Sequence, residues 1–518
     1  MNNYISFENN KNNRKVVKMS SLWLDYLENK NLNKLEDNLS VDVCIIGAGI
    51  FGLTCAYYLS KAGLKVCVLE KDSIVSKTTG HTTAKITSQH NLFYSYLVDT
   101  FGATVAKDYL SANEEAINNI KKIIDDEKIK CDFEHQSNFV YTTNKTEVNQ
   151  IKKEVETVNS LGFPANFVTK TGLPFPIEGA IQFPHQAQFN PVLFSNGLVK
   201  SILNNDGRIF ENTTVFDVKN IDNYFESYTT DGKIKSKYVV LACHYPFLNF
   251  PGMYFLKMYQ STSYVVAIDT KKTLFNGMYI SSSNPIFSFR TMNYNGKKLL
   301  LLGGCEHKTG AKISYDETYG ILENYARQLY PNCEIVSKWN TEDCVSLDKL
   351  PYIGRFSNSI DNIFIATGFK KWGMTTSNAA ANIITDLILG NYNPYYDIFD
   401  STRVHPIKNK GELKNIVVDS VNSLFINKIK NSKVNFEDIA LNSGGIIEID
   451  NTKVGIYKDM NGKIYAINPI CTHLGCLLSW NDIDKTWDCP CHGSRFSYDG
   501  KNIYGPAFKD LSVYNLGS

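Results

Sequence analysis

The chain has 518 residues, too many for one hydrophobic core to organise, which excludes a single small domain and predicts at least two. Its composition, 43% hydrophobic with 20% charged residues, excludes a disordered or collagen-like chain. Lys and Arg number 54 against 52 Asp and Glu, so the net charge of +2 sets up no global field, and neither nucleic acid nor an anionic membrane is expected as a partner.

Residues 1–40 are rich in Asn and Lys and read as an N-terminal arm, with Ser21-Leu22-Trp23-Leu24 as a cluster able to dock on the main body. The first residues hold no apolar stretch of the kind a secretory signal needs, so a cytoplasmic location is expected. From Val43 to Ser60 the chain runs 18 residues without a charge. Three glycines break that run, so it predicts a strand, a tight turn and a helix in place of a transmembrane segment.

The turn is Gly47-Ala48-Gly49-Ile50-Phe51-Gly52, a G-x-G-x-x-G pattern. A second strand, LKVCVLEK, closes a βαβ unit and ends at Glu70 and Lys71. Each part has a mechanical reason. The first glycine permits the turn, the second lets backbone approach a pyrophosphate, and the third lets helix pack on strand. The helix N-terminus offers free N–H groups to phosphate, and Glu70, 18 residues after the last glycine, can accept ribose hydroxyls. A dinucleotide site follows, but the glycines do not choose between FAD and NAD.

Apolar stripes then predict helices over 104–130 and 146–161, and strand-like runs recur at SKYVVLAC, TSYVVAI, KKLLLLGG and DNIFIATG. A further helix is expected from Ser377 to Leu389, with Gly390 as its C-cap. Between Tyr392 and Ser432 the composition shifts to Asn, Lys, Pro and Tyr, and residues 396–432 read as a linker. Residues 433–518 read as a small all-β domain with turns at Ser443-Gly444-Gly445, Asn461-Gly462 and Asp499-Gly500.

Four of the 12 cysteines, Cys471, Cys476, Cys489 and Cys491, fall within 21 residues of that domain together with His473 and His492. Cys471-Thr472-His473 and Cys489-Pro490-Cys491-His492 are separated by 15 residues. Two Cys/His pairs on two loops suit an iron–sulfur cluster with two thiolates on one iron and two imidazoles on the other. The same donor set also suits tetrahedral zinc. The other eight cysteines are scattered and read as small buried apolar residues.

CTHLGC and CPCHGSRF resemble the Rieske [2Fe–2S] signature, and Gly505-Pro506-Ala507 resembles the loop that covers the cluster in that family. The resemblance implies Cys471, His473, Cys489 and His492 as ligands and a disulfide between Cys476 and Cys491. Phe496 stands where high-potential relatives commonly have tyrosine, which implies a lower potential here. The βαβ unit, the Thr-rich stretch 77–84 and IFIATGFKKWGMTTSNAAANIITDLILG resemble the FAD-dependent glycine/D-amino-acid oxidase superfamily.

By that second resemblance, residues 41–395 form an α/β FAD-binding Rossmann-like domain. An inserted α+β substrate subdomain spans about 90–185 and 250–335. The implied FAD contacts are Gly47, Gly49, Ile50, Phe51, Gly52, Glu70, Lys71, Thr79, Thr82, Thr83, Gly368, Trp372, Gly373, Met374 and Thr375. No catalytic residue is assigned. Lys370 and Lys371 lie near the expected flavin edge, Tyr259 and Tyr264 are candidates for the substrate wall, and His81 reads as a polar loop residue beside the cofactor.

The two resemblances together imply an FAD-dependent dehydrogenase of an amine or amino-acid-like small molecule. It would pass electrons singly through the cluster to an external acceptor, a protein or quinone-like molecule. An electron-transfer component with FAD as relay, or a low-turnover redox sensor, are the alternative readings.

Overall fold

In the computed structural model the described residues are 17–28, 32–403 and 436–516. Strand β1 (Leu39–Ile46) sits inside an eight-stranded sheet, and its apolar second half, Val43 to Ile46, is buried. It pairs in parallel with β2 (Val66–Leu69) on one side and with Lys233–Leu241 on the other. Helix α1 (Ile50–Lys61) connects β1 to β2, whereas the strand on the other flank arrives from far along the chain. That reversal opens a crevice at the carboxyl ends of the strands, the position at which open parallel sheets bind ligands. Ile360–Thr367 extends the parallel set, and the helix Gly373–Leu389 packs back against α1 and ends on Gly390 in the left-handed conformation, φ 75°.

A nine-stranded sheet forms the second layer, running from Glu334–Ser346 through Met258–Asp269, Lys297–Lys308 and Phe287–Tyr294 toward Gly179–Gln188 and Lys85–Ile86. The predicted helices appear as Ala103–Asp126 and Val148–Ser160, burying Leu110, Ile117, Ile120 and Ile124 in the first and Ile151, Val155 and Val158 in the second. The helices Tyr94–Phe101 and Pro191–Asn204 were not predicted; Asn190 caps the second through its side-chain oxygen on the N–H groups of Val192 and Leu193.

The arm's cluster docks as expected, while the linker and one turn differ from the sequence reading. The described part of the arm is docked: Leu22 and Trp23 are buried in a 3₁₀ turn, and the Trp23 indole donates to the Thr82 carbonyl at 2.8 Å. Residues 396–403 are not linker. Arg403 is buried there against Asp348, with Nε to Oδ2 at 2.8 Å and bonds to the carbonyls of Leu350 and Pro351, and the rest of the expected linker lies outside the described residues. Ser443-Gly444-Gly445 begins the strand Ser443–Ile449 instead of making a turn, because the Trp480 ring occupies the space beside Gly444 where a side chain would go. Asn461-Gly462 and Asp499-Gly500 are turns, both glycines having positive φ. The C-terminal region is all-β: a three-stranded sheet and a four-stranded sheet.

Candidate cofactor sites

The first and third glycines of the turn are packed too tightly for any other residue. Gly47 has φ 112°, and a Cβ there would fall 2.5 Å from the Ala242 carbonyl oxygen; one on Gly52 would fall 2.0 Å from the Gly47 carbonyl oxygen. Glu70 reaches back across the crevice and accepts from Ala48 N–H at 2.8 Å and Asp72 N–H at 3.0 Å. Burial raises its pKa, and those two bonds oppose the rise. Thr79 Oγ1 accepts from Ile50 N–H at 3.0 Å, fixing the start of α1.

Above this turn lies one large cavity. Of the expected contacts it is lined by Gly47, Gly49, Ile50, Phe51, Glu70 and Lys71, and by Thr79, Thr82, Gly373 and Met374. Five others lie outside its lining. Gly52 is spent on helix–strand packing, and the Thr83 carbonyl accepts from buried Arg290. Gly368 packs on Ser346, Trp372 stacks on His90 with centroids 4.9 Å apart, and Thr375 donates to the Thr87 carbonyl at 2.9 Å. Lys370 and Lys371 do line the cavity, and Lys371 pairs with Glu306 at 3.0 Å. Tyr264 is a core residue, its hydroxyl 3.0 Å from His307 Nε2, and Tyr259 does not line the cavity. His81 is outside the lining, held by the Lys77 carbonyl at 2.8 Å.

Two groups of residues on this cavity escaped the sequence reading. His244 and Tyr245 come just after the strand Lys233–Leu241, beyond Ala242 and Cys243; His244 Nε2 and the Tyr245 hydroxyl are buried and have no hydrogen-bond partner among the described residues. Their position at the carboxyl end of a recognised parallel strand was the available signal. Asp343, buried between Lys371 and the like charges of Glu306 and Glu342, is the second; desolvation pushes its pKa up to about 7.

The C-terminal region closes the far wall. Tyr504, Gly505, Pro506, Ala507 and Phe508 line the same cavity as the glycine turn. Tyr504 and Thr78 share a hydroxyl–hydroxyl bond of 3.0 Å, and Lys71 donates to Asn502. Arg495, buried, binds Asp484 at 2.6 Å and Asp488 at 3.0 Å within its own domain and Glu342 across the interface. The three carboxylates hold its pKa high against the cost of burial.

The Cys/His cluster sits just behind that wall. Cys476 and Cys491 form a disulfide joining the two loops, and both are buried, which shields the bond from reductants. Cys471 and Cys489 hydrogen bond through their side chains; the bond holds the Cys471 thiol down at about 7 and holds the Cys489 proton more tightly. Cys489 Sγ also lies within 4.8 Å of the sulfurs of Cys476 and Cys491, but those two are bonded to each other and spent as donors. The His473 and His492 rings stand 5.0 Å apart at 88°. Burial lowers their pKa values to about 4 and about 3, leaving both imidazoles neutral at pH 7, the form that binds metal. Their Nδ1 atoms are buried and without hydrogen-bond partners among the described residues. Two adjacent thiols and two bare Nδ1 atoms fit a cluster bound by two sulfurs and two nitrogens.

Comparison with known proteins agrees with both sites. The family model described as FAD dependent oxidoreductase matches residues 42–387, and the Rieske [2Fe-2S] domain model matches 435–515. The chain belongs to the FAD-dependent oxidoreductase family. Within it, this oxidoreductase is 36% identical over 494 residues to a protein of Bacillus subtilis (strain 168) that bears the name Rieske 2Fe-2S iron-sulfur protein YhfW, covering 95% of this chain and 97% of that one. It is 22% identical over 374 residues to the gamma-glutamylputrescine oxidoreductase of Escherichia coli (strain K12), covering 69% of this chain and 85% of that one. Among solved structures it shares its fold with glycine oxidase from Geobacillus kaustophilus, at a TM-score of 0.62 and 18% identity, over 71% of this chain and all of that one. The protein is therefore an FAD-dependent iron–sulfur oxidoreductase, with FAD and a [2Fe–2S] cluster as cofactors. No helix among the described residues is long and apolar enough to cross a membrane.

Proposed function

We propose that the oxidoreductase is a cytoplasmic dehydrogenase that oxidises an amine or amino-acid-like substrate and delivers the electrons one at a time to an external acceptor, a protein or a quinone-like molecule. Bound FAD supplies hydride acceptance and the cluster supplies single-electron relay. Residues 41–395 hold the first, with Gly47, Gly49, Glu70, Gly373 and Met374 around it; residues 433–518 hold the second through Cys471, His473, Cys489 and His492.

One observation carries this reading: the flavin cavity and the cluster loops share a wall. Ala507, which lines the cavity, donates its N–H to Ser494 Oγ at 3.1 Å, and the Ser494 carbonyl accepts from Cys489 N–H at 2.8 Å. Gly505 lies so close to Ser494 that a Cβ would fall 2.5 Å from its Cα. The loop Tyr504–Phe508 therefore touches both cofactor sites, a placement that supports electron transfer between flavin and cluster within the chain. Lys371, held by Glu306, lies at the cavity edge, and buried Asp343 beside it is the group best placed to hold or release a proton there.

Anaerobic mixing of the purified holoprotein with a panel of amines and amino acids tests the reading. Bleaching of flavin absorbance followed by reduction of the cluster is expected. No bleaching with any amine, together with bleaching by NAD(P)H or a reduced carrier protein, would replace it with the relay reading.

A further inference from the structure

An imidazole that binds metal through Nδ1 carries its proton on Nε2, and that N–H needs an acceptor when the ring is buried. For His473 the acceptor comes from the other half of the molecule: Asn249 Oδ1 lies 2.8 Å from His473 Nε2. Asn249 belongs to the loop between the strands Lys233–Leu241 and Met258–Asp269, where its own carbonyl accepts from Met253 N–H at 2.9 Å. The same loop sets Phe255 edge-on to the His492 ring, centroids 5.9 Å apart. It is anchored beneath by Tyr254, buried, with its hydroxyl donating to the Phe356 carbonyl at 3.1 Å.

We propose that Asn249 is a positioning residue for the cluster: it receives the Nε2–H of His473, fixes that ring with Nδ1 turned to the metal, and thereby makes the flavoprotein half a part of the iron–sulfur site. The proposal rests on His473 being a ligand. A neutral acceptor on the distal N–H raises the electron donation of the imidazole, stabilises the oxidised metal and lowers the midpoint potential. It also occupies the nitrogen to which a quinone-like acceptor would otherwise hydrogen bond, so electrons leave this cluster without docking on His473.

Two full-length variants test it: Asn249→Leu, of similar size with no acceptor, and Asn249→Asp, whose acceptor is anionic. The readouts are iron and acid-labile sulfide content, EPR g-values and histidine nitrogen couplings of the dithionite-reduced protein, and midpoint potential from an EPR-monitored titration. Asn249→Leu is expected to raise the potential and alter the coupling of one histidine; Asn249→Asp is expected to lower it. Shifts in the same direction, or wild-type values in both, overturn the proposal, because a loop that merely fills space has no reason to give opposite signs. If Asn249→Leu does not retain iron, the sign for Asn249→Asp decides: a downward shift supports the role, and an upward or absent one overturns it. A wild-type protein lacking the signal of a histidine-ligated [2Fe–2S] cluster would instead defeat the ligand assignment itself.

Discussion

The two cofactor sites are made from opposite materials. The flavin cradle is backbone: glycines that clear space, N–H groups at the start of α1, and a carboxylate that organises them. The proposed cluster site is side chain: two sulfurs and two imidazoles on loops pinned by Cys476–Cys491. A site of backbone tolerates changes in its outward side chains but not an added Cβ. A site of side chains fails when one donor atom is removed, while its loops can persist.

The largest break of this contrast is Cys489→Ser or His492→Ala. Either is expected to abolish the [2Fe–2S] absorbance and iron content while flavin stays at one per chain, as read by visible spectrum and metal analysis. Gly52→Ala should do the reverse. Its Cβ meets backbone at 2.0 Å, so flavin retention should collapse and stability fall by about 2 kcal/mol or more, measured by denaturant unfolding with cluster absorbance monitored in parallel.

Arg495→Met probes the joint between the regions. It strands Glu342, Asp484 and Asp488 in a buried site, and a loss of about 3–5 kcal/mol is expected, with the C-terminal domain becoming susceptible to limited proteolysis. Asp343→Asn gives the corresponding pH test. The folded-state pKa of Asp343 is raised to about 7, above the unfolded value of 3.8, so keeping it buried costs nothing below pH 4 and progressively more up to pH 7. The flavin-free variant should therefore match wild type near pH 4 and exceed it above pH 7 by up to about 4 kcal/mol, read from unfolding curves across that range. The smallest effect is expected from Phe496→Tyr. It adds a hydroxyl in the apolar cluster that includes Cys471 and Cys489, and the midpoint potential should rise on the order of 50 mV, the equivalent of one hydrogen bond.

The same contrast explains what the sequence revealed. The proposed cluster donors stand out in the sequence because cysteine and histidine at fixed spacing have few other uses. The glycines are legible because strand, turn, helix and acidic terminus coincide at Gly47 to Glu70. Trp372 and Thr375 lie outside the cavity lining because a helix N-terminus near a cofactor also needs groups that hold it to its neighbours, and His90 and Thr87 take up these two. Asn249, His244 and Asp343 were illegible for a different reason: each matters through a partner hundreds of residues away or through burial, and local pattern records neither. Ser443-Gly444-Gly445 carried a turn signature, yet Trp480 across the sheet selects those glycines for a strand.

The loop Tyr504–Phe508 has one more consequence. It is made by the ribosome long after the glycine turn, yet it forms the last side of the flavin cavity. That side of the cavity exists only in the docked molecule, where Tyr504 on Thr78 and Asn502 on Lys71 hold it in place. Flavin retention is therefore expected to depend on the docking of the C-terminal domain as well as on the contacts in the cradle.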